Sequence, residues 1–178
     1  MKLIGLTGPA GAGKDSVRSV MEGHGWIGMA LADPIRTMVG VLLDQGKTGR
    51  HWMYARDHKE MTIPLFGVSY RRLAQTLGTE WGRGMIADDI WLRVAQAKIE
   101  ALRAYDSASI VISDIRFENE AEWIRSMGGE LVKVIREVEP VERHVSEEGW
   151  RQIEVDHVIE NRGTLADLAV KVRQLIGV

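Results

Sequence analysis

The feature that most limits how this chain can fold is a glycine-rich run near its start. The run GPAGAGK, residues 8–14, follows a short apolar stretch, Leu3 to Thr7, and precedes a helical pattern. It has the spacing G-x-x-x-x-G-K, in which glycines let the backbone turn so that its N–H groups surround a phosphate. The positive end of the following helix adds to this attraction, and Lys14 supplies a mobile cation for the outer phosphates. The run therefore predicts a phosphate-binding P-loop.

The residue after the lysine departs from the usual P-loop pattern. Asp15 stands where Ser or Thr normally gives Mg²⁺ a hydroxyl ligand, and Ser16 follows it. Either Asp15 contacts the metal or its waters, or Ser16 does so from a shifted helix start, and the residues alone leave both open. The competing interpretation of the whole run is a glycine-rich turn with an exposed lysine and no ligand.

Short apolar stretches bounded by turn residues predict the strands of a sheet. They are Leu3 to Thr7, Ile27 to Leu31, Ile110 to Ser113, Leu131 to Ile135 and His157 to Ile159. Helical patterns lie between them, most clearly from Ile90 to Ala104 and after an N-cap at Thr164. This alternation predicts an α/β fold with a central, mainly parallel sheet, in one domain over residues 1–178.

Charge and composition exclude several classes of protein. The chain has 178 residues, with 23 Lys and Arg against 25 Asp and Glu. It therefore lacks the excess of basic residues that a nonspecific binder of nucleic-acid polymers needs. No apolar stretch has the length of a membrane span. The absence of cysteine excludes disulfides and thiolate zinc sites and agrees with a reducing compartment, so we expect a cytoplasmic protein.

Two further features lie outside the glycine-rich run. Asp114 ends an apolar stretch, which in an open α/β sheet is the ligand-facing edge, so it is either a metal or phosphate organiser or a simple turn residue. The stretch from Asp44 to Ser69 is rich in Gly, Pro and charge, and we expect a loop or insertion there. It is either a substrate-closing element or a disordered surface loop.

The remaining residues favour a small-molecule kinase. The chain has no N-K-x-D guanine-reading motif and little room for the extra domains of a motor. A kinase needs cations that hold the acceptor's phosphate and neutralise the transferred group. Candidates in the middle of the chain are Arg36, Lys59, Arg71, Arg72, Arg83 and Arg116. Each of these side chains has a solvated surface position as its competing interpretation.

Six ordered motifs resemble the bacteriophage deoxynucleoside monophosphate kinases. They are GKDS at 13–16, LADPIR at 31–36, RRLAQTLGTE at 71–80, ISDIRFENE at 112–120, HVSE at 144–147 and DHVIEN at 156–161. The resemblance covers nearly the whole chain and is weakest between Val41 and Thr62. It includes the Asp15 variant of the P-loop.

The resemblance implies a reaction and a fold. It implies transfer of the γ-phosphoryl group of ATP to a deoxynucleoside 5′-monophosphate, with Mg²⁺, on a P-loop NTPase three-layer fold. Residues 32–89 would be the acceptor-binding region and residues 137–155 a lid-like region. The resemblance is also compatible with a homodimer. The rival interpretations are another small-acceptor kinase, such as a dephospho-coenzyme A kinase-like enzyme, and a noncatalytic ATP-binding module.

Site residues follow from the motifs, position by position. The predicted ATP-binding residues are Gly8, Ala10, Gly11, Ala12, Gly13, Lys14, Asp15, Ser16 and Asn161, the last in the loop that passes the adenine, with its backbone expected to matter more than its side chain. The predicted acceptor-binding residues are Asp33, Ile35, Arg36, Arg72, Gly78, Thr79, Arg83 and Trp91. The predicted catalytic residues are Lys14, Arg72, Asp114, Arg116 and Arg136, with Asp15 and Ser16 as the alternative magnesium ligands.

Three of these residues keep a competing role. Trp91 either stacks on a base or fills the core. Asp33 is the nearest candidate for a general base, but its place before Pro34 equally suits a helix start. Arg136, or Arg143 beyond it, would reach the transferring phosphate on closure, and the charged segment around them suits a solvated surface equally well.

Overall fold

The computed structural model describes residues 1–54, 56–105, 107–136 and 149–178. The chain divides into two compact units. We call Met1–Leu31 together with Ala95–Val178 the sheet unit, and Ala32–Val94 the inserted unit. The predicted acceptor-binding region, 32–89, falls in the inserted unit, whereas His144 and Arg143 lie outside the described residues.

The sheet unit is built on a parallel sheet. Its described strands are β1 (Leu3–Thr7), β2 (Ile27–Met29), β5 (Ile110–Ile112), β6 (Glu130–Ile135) and β7 (His157–Glu160). They lie in the order β2-β5-β1-β6-β7, and every neighbouring pair is parallel. This confirms the predicted mainly parallel sheet. β2 ends two residues earlier than expected, because the N–H of Leu31 donates to the Asp114 carboxylate instead of to a neighbouring strand.

Helices cover both faces of this sheet. They are α1 (Lys14–Glu22), the C-terminal part of α5 (Ile90–Arg103), α6 (Glu118–Ser126) and α7 (Leu165–Ile176). Residues of β1 alternate between the faces: Leu6 packs with Val17 of α1 and Val172 of α7 in one buried cluster. Gly5 lies on the other face, where a Cβ would be 3.2 Å from Ile124 of α6. The result is the three-layer arrangement that the motifs implied.

The last helix begins at the predicted N-cap. The Thr164 hydroxyl accepts the N–H of Asp167 at 3.2 Å, and the Asp167 carboxylate accepts the N–H and the hydroxyl of Thr164 at 2.8 Å each. These reciprocal bonds satisfy N–H groups that a helix start otherwise leaves unpaired. The helix ends at Gly177, whose φ of 81° is left-handed.

The inserted unit is mostly helical. Its described elements are α2 (Asp33–Gln45), a 3₁₀ turn (Arg50–Met53), α3 (Arg56–Glu60), the hairpin strands β3 (Thr62–Ile63) and β4 (Val68–Ser69), α4 (Tyr70–Gln75), a π-helix (Thr76–Ile86) and the start of α5. The expected loop from Asp44 to Ser69 is therefore an ordered insertion with short elements. Ile63 at its centre is fully buried, and such elements are too short for their periodicity to be visible in the sequence.

None of the described helices has the length and hydropathy needed to cross a bilayer.

Candidate active site

The P-loop connects β1 to α1 and depends on glycine at three positions. Gly8, Gly11 and Gly13 have φ values of 131°, 79° and 99°, which side chains other than glycine's adopt only under strain. At Gly8 a close approach adds to this, because a Cβ would lie 2.2 Å from the carbonyl oxygen of Val134 in β6. The loop backbone is therefore shaped both by its own dihedral angles and by the neighbouring strand.

The Lys14 side chain folds back along this loop. Its Nζ donates to the carbonyl oxygens of Gly8 at 2.6 Å and Pro9 at 2.8 Å. The N–H of Ala12, a residue predicted to bind the phosphates of ATP, donates to the Pro9 carbonyl at 3.2 Å and so makes a hydrogen bond within the loop. The two carbonyls keep the lysine's positive charge beside the loop, where a phosphate group would be attracted to it.

Asn161 contacts the P-loop from the end of β7. Its Nδ2 donates to the Ala12 carbonyl oxygen at 2.8 Å, and its backbone N–H donates to Ile135 at 2.7 Å. The residue is 6% exposed. From the sequence, we expect the backbone of Asn161 to matter more than its side chain for ATP, and this stays a prediction. In the structure, the backbone N–H is used in the sheet, and the side chain binds the loop.

Asp114 lies at the same edge of the sheet as the P-loop. It follows β5, which is the parallel neighbour of β1, so both loops leave the sheet at its carboxyl edge. Its Oδ1 accepts the N–H of Leu31 at 2.7 Å. Asp114 thus has a structural role beside its predicted catalytic one, since it fixes the chain where it leaves the edge strand β2.

The loop that carries Arg116 is fixed by Glu120, a residue that no sequence pattern had indicated. The Glu120 carboxylate is buried at 5% exposure and accepts the N–H groups of Arg116 at 2.7 Å and Phe117 at 3.1 Å. The N–H of Ile115 donates to Leu6 in β1 at 3.0 Å. A Glu at the third position of a helix is one half of a capping box. That signal was not visible because Phe117 lacks the polar side chain that forms the other half.

The donor set for a magnesium ion is small. Asp15 is exposed in the first turn of α1, and Ser16 beside it is half-buried. Within the described ranges, no three His, Asp or Glu side chains are grouped to hold a metal. Mg²⁺ in kinases typically takes one or two protein oxygens together with phosphate oxygens and water. The oxygens of Asp15 and Ser16 fit that chemistry, and nothing in the described structure distinguishes between the two.

In the inserted unit, two predicted acceptor arginines form ion pairs. Arg36 pairs with Asp33 at 3.1 Å, and Arg72 pairs with Glu80 at 2.9 Å. All four side chains are at least one third exposed, so these pairs contribute little to stability. Asp33 also begins α2 with Pro34 next to it, as its helix-start interpretation predicts. A phosphate would compete with these carboxylates for the two guanidinium groups.

Arg83 and Arg136 differ in their surroundings. Arg83 pairs with Asp88 at 2.8 Å, and its side chain is only 12% exposed. Arg136 is exposed at the end of β6, directly before residues that the structure does not describe. Of the predicted lid-like region 137–155, the described part packs on the sheet unit, where Ile153 is buried.

Trp91 occupies the core of the inserted unit. It is 7% exposed, and its Nε1 donates to the Gly78 carbonyl at 2.8 Å. Ile35 is also buried, and its Cδ1 lies 2.8 Å from where a Gly78 Cβ would be. Of the two roles open to Trp91, the structure therefore favours the core. Gly78 belongs to the π-helix, a rare conformation that is often found at functional sites, and Thr79 follows it half-buried.

A family model decides which proteins this chain is related to. The model described as "Deoxynucleotide monophosphate kinase" matches residues 62–172, more than half of the chain. The chain belongs to the deoxynucleotide monophosphate kinase family. This confirms the predicted family, and with it the prediction of a nucleoside monophosphate kinase.

Relatives of this kinase are viral. The chain is 29% identical over 188 residues to a putative deoxynucleotide monophosphate kinase of Acanthamoeba polyphaga mimivirus, covering 94% of this chain and 92% of that protein. It is 30% identical over 109 residues to the deoxynucleotide monophosphate kinase of Escherichia phage RB69, covering 61% of this chain and 45% of the phage protein. The chain thus matches less than half the length of that phage kinase.

The fold of this kinase also occurs in solved structures. TT1252 from Thermus thermophilus matches with a TM-score of 0.55 at 16% identity, over 99% of this chain and 96% of that one. At such low identity the likeness concerns the fold alone. Together with the parallel sheet and the loop between β1 and α1, it confirms the predicted P-loop fold.

Proposed function

We propose that this kinase transfers the γ-phosphoryl group of ATP to a deoxynucleoside 5′-monophosphate. The proposal depends most on one observation, the P-loop at the carboxyl end of β1 with Lys14 beside it, in a chain that belongs to this family. The P-loop supplies the donor site, and the family supplies the class of acceptor.

On the donor side, the chain itself supplies charge and shape. Lys14 would move from the Gly8 and Pro9 carbonyls to the outer phosphates of ATP, exchanging two neutral acceptors for a charged one. Asp114 and Arg116 would lie near the reacting phosphates. The Asp114 carboxylate accepts the N–H of Leu31, and the backbone N–H of Arg116 donates to the Glu120 carboxylate. Arg136 would add positive charge from the end of β6.

On the acceptor side, arginines carry the proposal. Arg36 and Arg72 offer planar donor forks for the acceptor's phosphate, and they would exchange their carboxylate partners for it. Arg83 is fixed by its pair with Asp88 and would be a further phosphate ligand. The buried Trp91 acts on the acceptor only through the π-helix that it supports.

Little covalent chemistry is required of the protein. A phosphate oxygen of the acceptor is already a nucleophile, so orientation for in-line attack and charge neutralisation account for most of the catalysis. Asp33, the only general-base candidate named from the sequence, is paired with Arg36, and the mechanism does not need it. Bound Mg²⁺ would neutralise charge on the donor phosphates, held by Asp15 or Ser16.

A coupled assay tests the reaction. ADP release would be followed with ATP and Mg²⁺ against a panel of deoxynucleoside monophosphates, ribonucleoside monophosphates and dephospho-coenzyme A. We expect release that depends on a deoxynucleoside monophosphate. Turnover with dephospho-coenzyme A alone would favour the rival kinase, and ATP binding without acceptor-dependent release would favour a noncatalytic module.

A pair of lysine variants tests the donor site. Lys14→Ala should lower kcat by about a hundredfold or more while the protein stays folded, because charge stabilisation of the transferred group is lost. Lys171→Ala is the matched control, since its ammonium also donates to a backbone carbonyl, that of Glu160 at 2.6 Å, but on the surface of α7. Equal activities of the two variants would remove Lys14 from the mechanism.

We also propose that the enzyme is cytoplasmic and acts on free nucleotides. The supporting observations are the absence of cysteine and a net charge of -2, which gives no electrostatic attraction for nucleic-acid polymers. Sedimentation of the purified protein would test whether it forms the homodimer that the motifs are compatible with.

A further inference from the structure

We infer that Asn161 is a positioning residue of the phosphate site, which acts on the P-loop backbone and does not recognise the base of ATP. The inference rests on the proposed function only in taking the P-loop as the ATP site. The motif alone placed Asn161 in a loop that passes the adenine. We assign its side chain to the P-loop backbone instead.

The first observation is a buried hydrogen bond between distant parts of the chain. Nδ2 of Asn161 donates to the Ala12 carbonyl oxygen at 2.8 Å, across 149 residues of sequence. Asn161 is 6% exposed, and Ala12 is fully buried in the apolar cluster that includes Val17 and Leu168. A carbonyl buried in such surroundings needs a partner, and removing it leaves an unpaired polar group.

The second observation is the fit between Asn161 and Gly13. Gly13 has a φ of 99°, and a Cβ built on it would lie 2.4 Å from Nδ2 of Asn161. The amide group therefore occupies the space that a side chain at position 13 would need. Asn161 is itself fixed, because its backbone N–H donates to Ile135 at the end of β6.

Peptide geometry connects this contact to phosphate binding. The peptide unit between Ala12 and Gly13 is planar and trans, so its C=O and N–H groups point in opposite directions. Because Asn161 binds the C=O of Ala12, it also determines the direction of the Gly13 N–H, which is aimed away from Asn161. Main-chain N–H groups are the ligands of a P-loop phosphate, so an error in this peptide's orientation weakens phosphate binding directly.

The experiment compares ligands that share phosphates but differ in the base. Asn161→Asp keeps the shape and removes the donor, and Asn161→Leu removes all polarity. Affinities for ATP, inorganic tripolyphosphate and a deoxynucleoside monophosphate would be measured by calorimetry, on protein shown to be folded by its thermal melt. We expect both variants to lose about tenfold or more in affinity for ATP and for tripolyphosphate alike, with the monophosphate affinity changed less than about twofold.

The control is the neighbouring residue. Arg162→Ala removes an exposed side chain that pairs with Glu160 at 3.6 Å, and it should leave all three affinities unchanged. A loss confined to ATP would show that Asn161 contacts the nucleoside, and it would overturn the inference. Wild-type affinities in both folded Asn161 variants would overturn it as well.

A measurement on the wild-type protein covers the case in which neither variant folds. In ¹⁵N–¹H spectra, the side-chain amide resonances of Asn161 should shift on adding tripolyphosphate as they do with ATP, and they should not respond to adenosine. A response to adenosine but not to tripolyphosphate would overturn the inference. Failure of the proposed function would differ from both results, since wild-type protein would then bind no ATP or show no acceptor-dependent turnover.

Discussion

Replacing Gly8 by alanine should be among the most damaging single-methyl changes in this chain. The added Cβ meets two separate penalties, because the backbone has a φ of 131° and the carbonyl oxygen of Val134 lies 2.2 Å away. That oxygen belongs to the backbone of β6, the parallel neighbour of β1, so it cannot move aside as a flexible side chain would.

The magnitude follows from these two terms. Strain at such a φ costs about 1–3 kcal/mol, and forcing a methyl group into a filled site costs about 1–3 kcal/mol more. The sum, about 2–6 kcal/mol, is a large fraction of the 5–15 kcal/mol by which domains are typically stable. We therefore expect Gly8→Ala to shift the urea midpoint strongly and to abolish ATP binding wherever the protein remains folded.

A second glycine separates the cost of the Val134 contact from the cost of the strained φ. Gly25 is also left-handed, with a φ of 81°, but a Cβ there has no atom within 4 Å. Gly25→Ala should cost only the backbone term of about 1–2 kcal/mol. If urea unfolding gave the two variants equal stabilities within about 0.5 kcal/mol, the argument from the Val134 contact would be refuted.

Three further predictions concern the acceptor site, the Arg116 loop and the last helix. Arg72→Ala should raise the KM of the monophosphate by about tenfold or more, with the KM of ATP nearly unchanged, and steady-state kinetics giving the reverse pattern would place Arg72 on the donor side. Glu120→Ala should lower the free energy of unfolding in urea by about 1–3 kcal/mol, because it removes the partner of the Arg116 N–H, and a neutral effect would contradict the capping role. The hydroxyl and N–H of Thr164 lower the pKa of Asp167 from its ordinary value of 3.8, so this carboxylate stabilises the fold above that pH and loses its contribution as the pH falls through the lowered pKa. The difference in free energy of unfolding between wild type and Asp167→Asn should therefore become smaller from pH 6 towards pH 2. A difference that is constant over this range would contradict the role of the ionised carboxylate.

The sheet was predictable from the sequence because its strands are short apolar runs, of which β1 and β5 are buried at every residue. β1 was predicted residue for residue, and β5 and β7 each differ by one residue at their ends. The prediction made β2 two residues too long. The apolar stretch continues to Leu31, but the N–H of Leu31 donates to Asp114 and not to a neighbouring strand. Hydrophobicity thus predicts which residues are buried, but not which partner a backbone N–H takes.

The inserted unit was less predictable for a related reason. Its short elements depend on contacts between residues far apart in sequence, such as Trp91 with the carbonyl of Gly78 in the π-helix. A π-helix has no periodicity of its own that a pattern of apolar residues would reveal. The motifs place the predicted acceptor-binding residues within this unit, and their role there stays a prediction. Trp91 and Ile35 could be assigned to the core of the unit only from their burial.

Two glycines of the P-loop are required for space as well as for their left-handed dihedral angles. Elsewhere in the described chain, left-handed glycines such as Gly25, Gly67, Gly128 and Gly177 end turns or helices where a Cβ would meet no atom within 4 Å. At Gly8 and Gly13 a Cβ would meet Val134 and Asn161, which belong to the C-terminal half of the chain. Two glycines of the G-x-x-x-x-G-K spacing are therefore required both by their dihedral angles and by the lack of space beside residues at the ends of β6 and β7. Because the Asn161 side chain also donates to the Ala12 carbonyl at 2.8 Å, the P-loop takes part of its shape from residues at the ends of β6 and β7.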